Sequence, residues 1–144
     1  YTILRYGSLY GPRADNTNGL FRIVDSALKN GKIQYKGDIE SMREYIHVED
    51  AAYASVSILD RAFKNQSIIL TGQESMRVFD MLKMLAEILN LSEDSVEFTE
   101  ERYNSHYIRT PYAYQPKLGR KYIPPTHVDL GQGLLQIIDE IDGE

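Results

Sequence analysis

The spacing of hydrophobic positions along the chain predicts an alternation of helices and short strands. Three segments carry apolar residues at intervals of three and four, which is the pattern of a helix with one buried face. A further helix is predicted where small residues follow Glu49 and Asp50, because acidic side chains are favourable at the positive end of a helix. The predicted helices cover residues 18–28, 50–63, 78–89 and 130–141.

Runs of β-favouring residues lie between these helices and end at glycine or polar turn residues. They predict strands over residues 2–6, 33–35, 44–48, 67–70 and 96–99, and we expect the second and third of these to pair with each other. Residues 103–125 are rich in Tyr, Pro, Lys and Arg without a sustained period, and they are predicted to form an ordered loop region. The chain is therefore predicted to be an α/β protein.

The composition is that of an ordinary folded domain. Hydrophobic residues make up 42% of the 144 positions and charged residues 26%, which excludes disorder and collagen-like repeats. The chain contains no cysteine, so disulfides, thiolate nucleophiles and cysteine metal sites are excluded. This composition suits a reducing compartment, and we expect a cytoplasmic protein.

Charge and hydropathy limit the classes of partner. Sixteen basic residues against 21 acidic residues give a net charge of −5, so the field of the molecule repels polyanions and nucleic acid is not an expected partner. No apolar run in the sequence approaches the roughly 20 residues that a membrane span needs, and no membrane contact is expected.

Few short motifs point to chemistry. None of His47, His106 and His127 has a second ligand at helical spacing, so no metal site is expected. His47 lies within a strand pattern and is predicted to be a hydrogen-bonded structural residue. Arginines beside aromatic residues, such as Arg43 and Arg109, suit the capture of a phosphate or a carboxylate, whereas spacing alone favours the alternative of surface ion pairs.

Several segments, taken in order, carry a more specific pattern. Residues 5–12 read RYGSLYGP, residues 37–38 read GD, residues 43–52 read REYIHVEDAA, and residues 68–72 read IILTG. They are similar to the RxxNxYGP, GDG…RDFIHVDDVA and YNIGSG blocks of the extended short-chain dehydrogenase/reductase family, the NAD-dependent sugar-nucleotide epimerases and dehydratases. The chain thus resembles the carboxy-terminal part of such an enzyme.

The resemblance implies the fold class in more detail. It implies an α/β carboxy-terminal portion of the Rossmann-like extended fold, a mixed lobe with a few short strands and about four helices, and we expect residues 1–144 to form one substrate-binding region. In the family, the glycine-rich NAD-binding turn and the Tyr-x-x-x-Lys pair lie upstream, and neither motif occurs in this sequence. We therefore expect no catalytic residue here and no turnover by the chain alone.

The resemblance also implies which residues form the site. Tyr6 and Gly7 are expected beside the cofactor, which is NAD or NADP in the full-length enzyme. The residues expected to bind a nucleotide-sugar substrate are Ser8, Asn18, Leu20, Tyr35, Lys36, Arg43 and Arg109. Ser8 stands where the family usually has Asn, and a hydroxyl offers one donor where an amide offers two.

One departure from the family pattern concerns the nucleotide base. Lys36 stands where many members place an apolar or aromatic residue, and Ile39 replaces a usual glycine. Tyr35 is expected to provide an aromatic wall or Lys36 to point toward phosphate, and the sequence leaves both placements open.

The remaining expectations concern assembly. Strands 2–6 and 67–70 are expected in one parallel sheet with unsatisfied edges, which favours a homo-oligomer. Two alternatives to an enzyme part are a stand-alone binding module that retains a sugar-nucleotide cleft and an assembly domain that holds subunits together.

Overall fold

The computed structural model describes residues 1–73, 75–99 and 119–143. These residues form a mixed α/β structure, as predicted. The α-helices are α1 (Gly19–Asn30), α2 (Val48–Ser57), α3 (Val78–Ile88) and α4 (Leu130–Asp142). All four predicted helices are therefore confirmed, three of them within two residues of the predicted bounds.

The strands are short and pair mainly in parallel. They are β1 (Ile3–Tyr6), β2 (Ser8–Tyr10), β3 (Ile33–Lys36), β4 (Met42–Arg43), β5 (Tyr45–His47), β6 (Ser67–Leu70), β7 (Met76–Arg77), β8 (Val96–Thr99) and β9 (Arg120–Lys121). The sheet orders in the described part of the chain are β1-β6-β9, β2-β5, β3-β8 and β4-β7. Only the β4-β7 pair is antiparallel among these.

The predicted placement of residues 2–6 and 67–70 in one parallel sheet is confirmed, and the two strands are direct neighbours, with Ile3 opposite Ser67. The predicted pairing of residues 33–35 with residues 44–48 is wrong, because β3 pairs with β8 and β5 pairs with β2. Both observed pairs are parallel and join segments far apart in the sequence. The hydrophobic pattern of a strand indicates which face is buried but not which strand lies beside it.

Strand β9 lies within the segment predicted as loop. It has two residues, too few to show a period, and it forms by parallel pairing of Arg120 with Ile68 of β6. Residues 103–118 of the same predicted loop lie outside the described residues.

Helix α1 begins and ends where its sequence signals predict. The Asn18 side-chain oxygen accepts hydrogen bonds from the backbone N–H groups of Leu20 (3.0 Å) and Phe21 (3.1 Å). At the other end Gly31 adopts φ +65°, and its N–H donates to the carbonyl oxygen of Ala27. Glycine is favoured there because the left-handed conformation has no Cβ penalty.

Helix α2 begins two residues earlier and ends six residues earlier than predicted. His47 caps it by accepting the Glu49 N–H at Nδ1 (3.3 Å), so the helix starts at Val48. Beyond Ser57 the Asp60 carboxylate accepts the Ala62 N–H and starts a separate 3-10 turn, Arg61–Phe63. An aspartate that caps a new turn competes with continuation of the preceding helix.

The core has two parts. The larger is formed by α1, α3 and α4, and its fully buried members include Val24, Leu82, Leu85 and Leu134. The smaller lies between α2 and the β1-β6-β9 sheet and includes Ala54, Ile58, Ile68 and Leu70. No helix in the described ranges is long and apolar enough to cross a bilayer.

Candidate functional site

A cleft of about 770 Å³ opens between β2, the first half of α1, β3 and the β4-β5 segment. Six of the predicted substrate-binding residues line it: Ser8, Asn18, Leu20, Tyr35, Lys36 and Arg43. They are separated by up to 35 positions in the sequence, and the fold brings them to one cavity. Arg109, the seventh, lies outside the described residues.

The floor of the cleft is set by the β2-β5 ladder. Ser8 pairs with Tyr45 in this parallel ladder, and the Ser8 N–H donates to the carbonyl oxygen of Glu44 (2.9 Å). Side chains alternate along an extended segment. Arg43 and Tyr45 therefore line the cleft, while the buried Glu44 side chain forms an ion pair with Lys121 (3.3 Å).

Asn18 joins two walls of the cleft. Its oxygen caps α1, and its side-chain nitrogen donates to the carbonyl oxygen of Leu9 at 2.9 Å. Both polar atoms of this side chain are thus used within the protein. The next predicted residue, Leu20, is 5% exposed and belongs to the core. Asn18 and Leu20 therefore shape the cleft by fixing the backbone at the start of α1.

Two phenols flank Arg43 in the cleft. Burial raises the pKa of Tyr45 to about 12, with the Tyr35 phenol adding to the rise and the Arg43 guanidinium opposing it. Burial also raises the pKa of Tyr35, again opposed by Arg43, while Asp38 adds to the rise. Both phenols are therefore protonated at neutral pH and can donate a hydrogen bond to a ligand.

The charge lining the cleft is positive although the chain as a whole is acidic. Arg22, Lys36 and Arg43 contribute three cationic side chains, against the single carboxylate of Asp25. That carboxylate is already bound by Lys29, at 2.8 Å. An anionic ligand is therefore favoured in the cleft, in contrast to the repulsion expected from the net charge.

The two residues predicted beside the cofactor lie next to the cleft rather than in it. The Tyr6 hydroxyl is 2.6 Å from Ser55 Oγ at the surface. The Gly7 N–H donates to the carbonyl oxygen of Leu70, and a Cβ at Gly7 would lie 2.6 Å from the carbonyl oxygen of Glu44. Gly7 therefore has a packing role, and its cofactor role stays a prediction.

His47 is buried and hydrogen-bonded, as predicted. It is 1% exposed, caps α2, and packs edge-on against Tyr10 with ring centroids 5.3 Å apart. His127 contacts Gln73 at 2.9 Å. Within the ranges that the structure describes, no group of three or more His, Asp or Glu side chains is arranged to hold a metal ion.

Three of the residues that line the cleft and that sequence reasoning missed have long polar or aromatic side chains: Arg22, Gln34 and Tyr45. Tyr45 stands in the quoted REYIHVEDAA block, two residues after Arg43, so the alternation of strand side chains was a signal for it. Arg22 is four residues after Asn18, one helical turn along the same face of α1. Gln34 has no comparable sequence signal.

Residues 1–71 match the sequence model of the NAD dependent epimerase/dehydratase family. The match covers 71 of the 144 residues, and through them the chain is similar to that family. The matched region contains every predicted site residue except Arg109, and it contains all of the residues that line the cleft except Val78. The resemblance deduced from the sequence is confirmed.

Two curated proteins are similar to this chain over part of its length. One is "Putative UDP-glucose 4-epimerase" of Methanocaldococcus jannaschii, 36% identical over 89 residues, covering 58% of this chain and 28% of the relative. The other is UDP-N-acetyl-alpha-D-glucosaminuronate decarboxylase of Bacillus cytotoxicus, 23% identical over 108 residues, covering 73% of this chain and 34% of the relative. The chain spans about a third of the length of these relatives.

Solved structures of longer proteins share its fold. A UDP-glucuronic acid 4-epimerase from Bacillus cereus, in complex with UDP-glucuronic acid and NAD, has TM-score 0.78 and 24% identity, covering 99% of this chain and 45% of that one. A dTDP-glucose 4,6-dehydratase from Bacillus anthracis, in complex with NAD, has TM-score 0.75 and 17% identity, with coverage of 99% and 44%. The predicted fold class, part of an extended epimerase/dehydratase fold, is confirmed.

Proposed function

We propose that the chain is the substrate-binding region of an NAD(P)-dependent sugar-nucleotide epimerase or dehydratase, and that its cleft binds the nucleoside diphosphate part of the substrate. The observation that carries this proposal is the convergence of Ser8, Tyr35, Lys36 and Arg43 in one cationic cleft. Arginine binds diphosphate oxygens well because its planar fork of donors matches two oxygens at once.

The ligands of the related structures support this class of substrate. The Bacillus cereus epimerase of similar fold was solved with UDP-glucuronic acid and NAD. A nucleoside diphosphate carries its charge at the diphosphate, which suits Arg22, Lys36 and Arg43, while the Tyr35 and Tyr45 phenols can bind uncharged hydroxyl or carbonyl groups.

The cofactor belongs to the same proposal. NAD or NADP supplies hydride transfer when it is bound to the complete enzyme. In this chain Tyr6 and Gly7 are the positions proposed to contact it, and the Tyr6 side chain lies at the surface beside α2. The sequence has neither a glycine-rich dinucleotide turn nor a Tyr-x-x-x-Lys pair. We propose that the chain contributes recognition to the reaction, that the isolated 144 residues are inactive, and that the protein acts in the cytoplasm.

Calorimetric titration of the purified chain with UDP, UDP-glucose and uridine tests the binding proposal. UDP and UDP-glucose are expected to bind and uridine to bind much more weakly, because uridine lacks the diphosphate. Arg43→Gln is expected to lower the affinity for UDP about tenfold or more, the loss typical of a hydrogen bond to a charged group.

The matched control is Lys83→Gln, which removes one positive charge from an exposed position on α3 outside the cleft. It is expected to leave the affinity for UDP unchanged. Equal binding of UDP and uridine, or equal losses in the two variants, would contradict the proposal. Epimerisation or NAD reduction by the isolated chain would contradict its assignment as a recognition region without catalysis.

A further inference from the structure

A buried carboxylate lies directly behind the cleft. Glu44 is the single residue between β4 and β5, and its two neighbours in the chain, Arg43 and Tyr45, line the cleft. Side chains alternate along an extended backbone, so the Glu44 side chain lies on the opposite side, and the residue is 8% exposed. A buried charge is costly unless an opposite charge or hydrogen bonds compensate it. The position of this carboxylate therefore depends on its partner.

The compensating charge comes from Lys121 of β9. Lys121 Nζ lies 3.3 Å from Glu44 Oε1, and this is the only ion pair of the Glu44 carboxylate among the residues that the structure describes. Strand β9 is fixed to β6, since Lys121 pairs with Ile69 and the Tyr122 N–H donates to the carbonyl oxygen of Ile69 (3.0 Å). Lys121 does not line the cleft. Its ion pair thus ties the junction of β4 and β5 to the β1-β6-β9 sheet from behind the cleft.

The backbone at this junction is held by short ladders. Strand β4 pairs with β7 over two residues, β5 pairs with β2 over three, and the two pairs belong to separate sheets. Between them the Glu44 carbonyl oxygen accepts the Ser8 N–H (2.9 Å) and lies against Gly7. A buried carboxylate that loses its cation is uncompensated, so it would move toward water and shift the backbone of its two neighbours.

We propose that Lys121 is a positioning residue for ligand binding: by keeping the Glu44 carboxylate buried, it holds Arg43 and Tyr45 toward the cleft. This inference rests on the proposed function, because it makes the affinity for a nucleoside diphosphate depend on a residue that does not touch the ligand. Lys121 lies outside residues 1–71, which match the family model, and it is not among the predicted site residues.

Calorimetric titration of the purified chain with UDP tests this inference. Lys121→Met is expected to lower the affinity for UDP about tenfold, because a displaced Arg43 loses its charged hydrogen bonds to the diphosphate. Lys121→Arg keeps a cation for Glu44 and is expected to stay within about threefold of the wild-type chain. The matched control is Lys83→Met, which removes the same charge from an exposed position on α3 outside the cleft and is expected to leave the affinity unchanged.

Removal of both charges separates positioning from attraction at a distance. Glu44→Gln combined with Lys121→Met leaves no unpaired charge behind the cleft, and it is expected to bind UDP within about threefold of the wild-type chain. Glu44→Gln alone is expected not to tighten binding, whereas long-range attraction would tighten it through the loss of a negative charge. The loss in Lys121→Met is expected to persist at about 0.5 M NaCl, where distant charges are screened.

Circular dichroism verifies that each variant is folded. Lys121→Gln, which keeps a neutral donor near Glu44, takes the place of Lys121→Met if that variant unfolds, and a smaller loss of UDP affinity is expected for it.

Several results overturn this inference while the wild-type chain still prefers UDP over uridine, so that the proposed function stands. They are equal UDP affinities of Lys121→Met and Lys83→Met, a Lys121→Met loss that disappears at high salt, and a double variant that binds no better than Lys121→Met. A wild-type chain that binds UDP and uridine equally overturns the proposed function and this inference with it.

Discussion

The side-chain nitrogen of Asn18 donates to the carbonyl oxygen of Leu9 at 2.9 Å, while its oxygen caps α1. This one residue fixes the start of α1 against β2, and the cleft lies between those two elements. The Asn18 side chain therefore sets the position of one cleft wall relative to another. It does so with both of its polar atoms bonded within the protein.

Asn18→Ala removes the cap and the bond to Leu9. We expect the free energy of unfolding to fall by about 1–2 kcal/mol, the usual range for a lost helix cap. Asn18→Asp retains the accepting oxygen and loses only the donor, so it is expected to cost less, about 1 kcal/mol. Urea unfolding of the three proteins checks this order, and equal losses in the two variants would show that the helix cap contributes nothing beyond the Leu9 contact.

Gly7→Ala tests the close approach of two backbone segments. A Cβ there would lie 2.6 Å from the carbonyl oxygen of Glu44, which cannot swing aside as a side chain can. We expect a loss of about 1–3 kcal/mol, measured by urea unfolding. Gly19→Ala is the control, since its Cβ meets nothing within 4 Å at the start of α1, and it is expected to be neutral or to stabilise by up to about 1 kcal/mol.

The buried phenol of Tyr45 makes stability depend on alkaline pH. Burial raises the pKa of Tyr45 from 10.0 to about 12, so the folded chain keeps a proton that the unfolded chain loses. Its contribution to the free energy of unfolding is complete below about pH 10 and falls as the pH rises toward about 12. Tyr45→Phe is expected to flatten this part of the decline.

Urea unfolding between pH 8 and about 11.5 measures this effect, with phenolate absorbance followed in parallel. Tyr53→Phe removes a phenol that is 52% exposed and serves as the control. Parallel declines for the wild-type chain and the Tyr45→Phe variant would show that this phenol does not couple to folding.

Arg22→Gln tests a cleft residue that the sequence motifs did not identify. We expect about a three- to tenfold loss of UDP affinity, because one of three cleft cations is removed. Arg22 Nη1 also donates to the carbonyl oxygen of Asn16 at 3.2 Å. The loss of this loop contact must therefore be distinguished from the loss of charge in the cleft. A salt titration does so: the loss should shrink at high ionic strength if charge is the cause, and a salt-independent loss would assign Arg22 to loop structure.

The sequence by itself determined the local elements of this protein. The Asn18 cap, the Gly31 stop and the apolar spacing of α3 and α4 are local signals, and each helix forms where such signals lie. The motif blocks also indicated the resemblance to the epimerase/dehydratase family, and that resemblance predicted six of the residues that line the cleft. These features depend on neighbours within a few positions, which a sequence pattern records directly.

The tertiary structure decided which distant segments meet. The pairing of β3 with β8, the two-residue strand β9 and the entry of Arg22 and Gln34 into the cleft follow from parallel pairing and helix packing across long separations. The cleft is cationic within an acidic chain because the same packing brings Arg22, Lys36 and Arg43 together. Hydrophobic burial is not directional, so the sequence pattern fixes which faces are buried, and only the packed structure determines their partners.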